Sequence, residues 1–351
     1  MRFHLSSEQT AIQDAVRGTL ADVWPMARLH GFAEAEADFD PTSWQALMAL
    51  GLGGLLLREA DGGSGLGLVE AALVAEVAGA AAAAGPIAGQ MLGAAIIAAS
   101  ANPQARAQLA GVASGETVVT LAFGGGWLPT SWDATPASGT VRFVESARAA
   151  QLFILGTAGG GLALVSAGAG VEIAPVRSTD RSRRLSRVTF DNAEAITLFE
   201  AGDSFVARAF DAALVLVAAD ALGGAQQATD MSVGYAKDRV QFGQPIGRFQ
   251  ALKHQLAHMA LDVEPARALV WYAAYAHDAG LPDAARAAAM AKAHLADVYV
   301  RTTRAAIAAH GGIGYTWDYG LNYWFRRAVH DRAMLGSPAL HRARAADMAE
   351  W

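Results

Sequence analysis

Apolar residues in the first third of the chain recur at three- to four-residue steps. Ile12, Val16, Leu20 and Val23 share one face, the spacing of a helix with one buried stripe. Ser6, with Gln9 three residues on, supplies a helix start in which each side chain caps the other's backbone. Asp40-Pro41-Thr42-Ser43 announces a second helix carrying Trp44, Leu47 and Leu50, and residues 71–99 read as two further helices split near Gly85-Pro86. After Gly115 the period shortens. Runs at 117–123, 140–144, 152–155, 162–165, 171–174, 187–190 and 196–199 are separated by Gly, Ser, Asp and Pro, which predicts a small all-β domain. From Asp203 the helical period returns over 207–238, 250–278, 282–310 and a closing segment from about Asn322. Four helices joined by short loops predict an antiparallel bundle. The expected fold is mainly α with a β insert: an N-terminal helical domain at 1–115, a middle β domain at 116–202 and a C-terminal four-helix bundle at 203–351.

Composition narrows the function classes. Of 351 residues, 53% are hydrophobic and 17% charged, below the usual quarter for soluble domains, so much surface is buried, including faces between subunits. A formal charge of -6 and a pI near 5.8 speak against nucleic-acid binding, which favours a basic footprint. There is no cysteine, which removes disulfides, thiolate metal sites and cysteine nucleophiles. Met1-Arg-Phe-His-Leu-Ser-Ser-Glu lacks the apolar core of a signal peptide. Glu70 and Glu76 interrupt the apolar run at 68–84, so buried helices are expected rather than membrane spans, in a cytosolic protein.

The chemistry concentrates at 220–255. A long apolar helix there runs into Arg239-Val-Gln-Phe242-Gly-Gln-Pro-Ile246-Gly-Arg-Phe249-Gln250. Gly243, Pro245 and Gly247 break the helix and let backbone approach a ligand. Arg239 offers a fork of donors suited to phosphate, and Phe242 could cover a flat ring. The residues therefore fit a phosphate-bearing aromatic cofactor; the plainer alternative is a helix–helix turn with an exposed arginine. The glycine-rich stretch at 59–67 lacks a Gly-Lys-Ser/Thr ending and reads as a structural turn.

The 239–250 segment resembles the flavin-contacting signature of the acyl-CoA dehydrogenase family. His310-Gly311-Gly312-Ile313-Gly314-Tyr315 resembles that family's second flavin-contacting segment, with Ala308 where relatives carry glutamine. The segment 59–70 resembles its first-domain loop, and the α, β, α-bundle order is similar over nearly the whole chain. The resemblance implies FAD as cofactor, with Arg239, Phe242, Gln250, Gly311 and Gly312 as its contacts. It also implies an acyl-CoA substrate, an electron-transfer flavoprotein or similar acceptor, and a homo- or hetero-tetramer. Such an enzyme removes an α-proton while the β-hydride passes to flavin N5, and needs a carboxylate base.

Leu335 and Ala213 occupy the two positions where relatives carry that glutamate. Asp220, two helical turns beyond Ala213, is the expected base: an apolar, small-residue surface should raise its pKa. The alternative is a solvated or salt-bridged aspartate. In the β domain, Phe143-Val144-Glu145 stands where the family's flavin-covering segment is expected, with a charge in place of a hydroxyl, and residues 120–126 stand where its other loop is expected. The ending, Tyr323-Trp-Phe-Arg326-Arg327 and 335–342, resembles a shorter bacterial subclass in which subunits of sterol-degrading enzymes form heterotetramers. Two readings follow: a catalytic chain, or a non-catalytic partner that completes a neighbour's FAD site.

Overall fold

The computed structural model describes residues 4–124 and 126–349. Seven helices open the chain: α1 (Ser7–Val23), α2 (Met26–Glu34), α3 (Pro41–Ala49), α4 (Leu68–Ala80), α5 (Ile87–Ala99), the short α6 (Pro103–Arg106) and α7 (Leu109–Ser114). Ser6 and Gln9 form the reciprocal cap expected of them, and Asp40 caps α3 by accepting from the Ser43 N–H at 2.9 Å. The helix α2 was not foreseen, because its only start signal is Pro25 and its buried face is three residues, Leu29, Phe32 and Ala33. The glycine-rich stretch is a turn, as expected: a Cβ on Gly63 would lie 2.3 Å from Leu57 Cβ, which leaves no room for a phosphate.

Seven strands follow, one for each apolar run: β1 (Val119–Ala122), β2 (Gly139–Glu145), β3 (Leu152–Thr157), β4 (Gly161–Ser166), β5 (Val171–Val176), β6 (Leu185–Phe190) and β7 (Ala195–Phe199). They form two sheets, ordered β1-β3-β4-β7 and β2-β6-β5. β1 runs parallel to β3 and the other pairs are antiparallel. On β2, the two residues between Val141 and Val144 face the single residue between Val188 and Ser186 on β6, so the strand carries a bulge, a device that re-aims side chains. Within the 120–126 stretch, Gly125 lies outside the described residues.

The C-terminal part begins with α8 (Ser204–Asp238), then the two-stranded hairpin β8 (Val240–Gln241) and β9 (Gln244–Pro245), α9 (Gln250–Asp278), α10 (Ala284–His310), α11 (Asn322–Ala333) and α12 (Pro338–Asp347). The closing segment is thus two helices rather than one, broken at Leu335 and Gly336, both with positive φ. The helices α4 and α8 meet backbone to backbone. A Cβ on Gly79 would lie 2.1 Å from Asp220 O, and one on Gly223 would lie 1.7 Å from Glu76 O. Only glycine fits either place. One apolar core therefore runs from the first helices through the sheets into α8 and α10.

Candidate active site

A cavity of about 110 Å³ lies where the three parts meet. Its walls come from the α4–α5 loop (Gly85, Pro86), strands β1 and β2 (Thr120, Phe143, Glu145), α8 (Ala213, Leu216, Asp220), α11 (Arg327, His330, Asp331) and the loop after it (Leu335). Ala213 and Leu335, which stand where relatives carry a glutamate, face the same space as Asp220.

Asp220 is buried, as its setting in the sequence suggested, but it is not free. Arg327 donates Nε–H to its Oδ2 at 2.9 Å and Nη2–H to its Oδ1 at 2.5 Å. Arg183 Nη2 lies 3.1 Å from the same Oδ1. The expectation of a raised pKa is therefore corrected. Burial does push the carboxyl up, but Arg183 and Arg327 outweigh it and hold Asp220 below the usual carboxylate range. A carboxylate so stabilised is a weak proton acceptor. Its evident work is to anchor two guanidiniums, in line with the salt-bridged alternative.

The cluster extends in both directions. Arg327 also donates to Ala83 O and Ser182 Oγ, each at 3.0 Å, so it ties α11 to the N-terminal helices and to the β5–β6 loop. Arg183 pairs with Asp331 and lies 3.4 Å from Glu145 Oε1. Burial, with Asp220 adding to it, pushes Asp331 up despite Arg183. Burial, aided by Arg183, pushes His330 down to about 3, leaving a neutral imidazole on the wall. Behind them, Lys292, pushed down to about 8 by burial, donates to Asp331 O at 2.8 Å and Gly336 O at 3.2 Å. It fixes the turn that carries Leu335.

The residues expected to hold a flavin lie elsewhere. Asp220 and Arg239 are 19 residues apart on α8 and its cap, about 28 Å at helical rise. Arg239 is exposed, with no ion pair among the described residues. The turn after it is a two-residue hairpin loop, Phe242 at φ 53 and Gly243 at φ 76, the pairing of left-handed residues that matches strand twist. A phenylalanine there is strained, and its ring is 90% exposed. Gln250 opens α9, exposed, 3.0 Å from His254 Nε2. At the end of α10, Gly311 has φ 66, and neither it nor Gly312 has an atom within 4 Å of where a Cβ would stand. This glycine turn is held to α8 by His310, whose ring stacks on Tyr235 at 4.5 Å. Its Nδ1–H donates to Ala306 O at 2.7 Å, and its Nε2 accepts from Tyr319 at 2.9 Å. An unpaired guanidinium, an outward aromatic ring and open glycine backbone suit a nucleotide cofactor.

Residues 6–116 match the model of the acyl-CoA dehydrogenase N-terminal domain, and residues 201–349 that of its C-terminal domain. The acyl-CoA dehydrogenase IpdE2 of Mycobacterium tuberculosis is 30% identical, over 94% of this chain and 94% of its own. The chain belongs to the acyl-CoA dehydrogenase family. It is an oxidoreductase of the class that acts on acyl-CoA, and FAD is the family's usual cofactor. A steroid acyl-CoA dehydrogenase, the Tcur3481–Tcur3483 G363A variant, has a chain with the same fold at TM-score 0.88 and 31% identity, covering 97% of each chain. The ChsE4–ChsE5 complex from Mycobacterium tuberculosis shares the fold at TM-score 0.88 and 23% identity, covering 99% of this chain and 98% of its own. The mainly α acyl-CoA dehydrogenase fold with its β insert is thus the fold of this chain. No helix among the described residues is long and apolar enough to cross a membrane.

Sequence reading passed over Arg183, Arg327, Asp331 and Lys292 as site residues. Arg181-Ser-Arg-Arg184 looks like a solvated loop, and no spacing rule links Asp220 to an arginine 107 residues away. Glu145 stood in a recognised segment, and its charge there was the available signal.

Proposed function

We propose that this chain serves the FAD-dependent α,β-dehydrogenation of an acyl-CoA thioester, within an oligomer in which the cavity of one chain is completed by the Arg239 hairpin of another. One observation carries the reading: the cavity is lined by the first half of α8, from Ala213 to Asp220, and the hairpin follows its last residue, about 28 Å from Asp220 at helical rise, while Phe242 and Arg239 are exposed. Residues so separated reach one flavin most simply from two chains. FAD, when bound, accepts the hydride from the acyl β-carbon. Arg239 would pair with its phosphates, Phe242 and Gln250 would cover it, and Gly311 and Gly312 would let backbone approach it. The apolar wall of Ala213, Leu216 and Leu335 keeps water from the acyl group, which strengthens electrostatic interactions inside the cavity. Likeness to a steroid acyl-CoA dehydrogenase favours a steroid-derived acyl group, and the family favours an electron-transfer flavoprotein or similar acceptor.

A second reading is favoured by Ala213 and Leu335, which leave both family positions without a carboxylate, and by an Asp220 already spent on two arginines. In it the chain is a non-catalytic subunit that completes the FAD site of a different chain. The visible spectrum of the protein purified alone, and again after co-expression with a second dehydrogenase-family chain, separates the two. Flavin absorbance in the chain alone, bleached by an acyl-CoA, supports the first. Absorbance that appears only with the partner supports the second. With either assembly, Arg239→Ala is expected to lower flavin content at unchanged melting temperature; unchanged content would remove the hairpin from the flavin site.

A further inference from the structure

A second cavity lies on the far side of α4 from the first. Its volume is about 510 Å³, against about 110 Å³ for the candidate active site, and it falls in the range usual for small-molecule sites. The helices α1, α2, α4, α8, α9 and α11 all contribute to its wall, and it shares no lining residue with the first cavity. On α4, Ala75 and Ala78 face the first space while Val77 and Ala80 face the second, so this helix separates the two. Much of the second wall is apolar: Leu20, Trp24, Leu29, Val77 and Trp324, each buried.

Every charge that lines this cavity is already answered within the chain. Arg17 pairs with Asp14 at 2.6 Å. Glu76 pairs with Arg267, whose Nη2–H also donates to Gln226 Oε1 at 3.0 Å. Gln226 Nε2–H donates in turn to Asp230 Oδ1 at 2.9 Å. The other polar side chains of the wall, Gln13 and Gln227, are neutral amides. A site for an ion needs a charge left to receive it, because burying an unpaired charge is costly, and none is left here. One polar group on the apolar wall is unpaired. The indole N–H of Trp24, a ring only 4% exposed, is buried and has no acceptor among the described residues. The wall's other indole, Trp324, donates to Gly79 O and Ala80 O at 3.2 and 3.1 Å. Phe32 meets Trp24 edge-on with ring centroids 5.5 Å apart, which fixes the ring in place. Buried donors are nearly always paired, so this one lacks an acceptor that a bound molecule can bring.

We propose that this second cavity binds a neutral, mainly apolar molecule with one acceptor oxygen, a ketone or an alcohol, which takes the hydrogen bond of Trp24 Nε1–H. The apolar wall covers the body of the molecule, and the indole fixes its orientation. An anion is disfavoured because the nearby guanidiniums are paired, and a cation because the carboxylates are. No bond is made or broken and no flavin takes part, so the assignment stands or falls apart from the dehydrogenase reading. The molecule would touch α1 and α2 on one side and α4 and α8 on the other. Its binding therefore ties the first helices to the bundle, and the folded state gains stability by mass action.

Three probes of one shape test the chemistry on the full chain in its native assembly: 2-acetylnaphthalene, which carries a ketone, 2-ethylnaphthalene, which carries no oxygen, and 2-naphthoate, which is an anion. By equilibrium dialysis the ketone should bind about three- to tenfold more tightly than the hydrocarbon, the worth of one buried hydrogen bond, and the anion least. The ketone should also raise the melting temperature. In protein labelled with ¹⁵N-tryptophan, the indole resonance that disappears in Trp24→Phe should shift when the ketone is added. Trp24→Phe keeps an aromatic ring and loses the donor, so ketone and hydrocarbon should then bind equally. Ala80→Leu, which enlarges a side chain on the wall, should weaken both. No binding of the ketone, or a shift confined to other indoles, would overturn the site. Equal binding of ketone and hydrocarbon to wild type would overturn the role of Trp24. Tightest binding of 2-naphthoate would show an ion site and overturn the ligand class.

Discussion

Neutralising Asp220 by Asp220→Asn leaves Arg183 and Arg327 in the protein interior short of a counter-charge. Removing one partner of a buried pair typically costs about 3–5 kcal/mol, so the variant should melt well below wild type. The pH dependence has a definite sign. Asp220 ionises more readily folded than unfolded, so its contribution is present above the unfolded value of about 3.9 and is lost as pH falls below it. The gap between wild type and variant should be constant near neutrality and close in acid, as followed by denaturant unfolding at several pH values. Equal stability at pH 7 would mean that the two arginines find their counter-charges elsewhere. The burial of Asp220 was legible from Leu216, Val217, Gly223 and Gly224 around it. Its pairing was not, because Arg183 and Arg327 come from a loop and a helix remote in sequence, and chemistry between remote residues leaves no periodic trace.

At the scale of elements, the hairpin after α8 stores conformational strain at Phe242. Phe242→Gly should raise stability by about 1 kcal/mol by removing a left-handed phenylalanine. The same change should lower flavin content, since the ring that projects from the turn is gone. A melting scan and an absorbance spectrum on one preparation test both halves, and unchanged flavin content would show that the ring serves no cofactor. The long helices were readable because α8, α9 and α10 each repeat their apolar spacing over 27 residues or more. The strands were readable because turn residues bracket every run. The hairpin was not, since two-residue strands carry no alternation and Phe-Gly is an unusual filler for a turn that favours Asn-Gly or Asp-Gly. Likewise α2 has too short an apolar face to stand out.

For the whole molecule, low charge and outward apolar groups point to assembly. Phe242, Leu261, Tyr315 and Val240 are all more than half exposed, and exposed apolar surface of this kind marks contacts between chains. Light scattering at micromolar concentration should give at least twice the chain mass of 36.4 kDa, with four chains the expectation; a mass near 36 kDa would sink the shared-site reading. The family and the order of its parts could be read from two short motifs and the change of period. The lining of the cavity could not, because a motif locates where a relative keeps its glutamate and says nothing of the remote side chains that meet there instead.

The glycine contacts between α4 and α8 have a mechanical consequence. With Gly79 and Gly223 bringing two main chains together, these helices cannot part or slide without losing van der Waals contact along their length, and together they make a rigid floor. The strands opposite are joined to that floor mainly through side chains, with Arg183 and Arg327 as its rivets. If the enclosure breathes to admit an acyl group, the β sheets are the part that lifts, and those two arginines set how far.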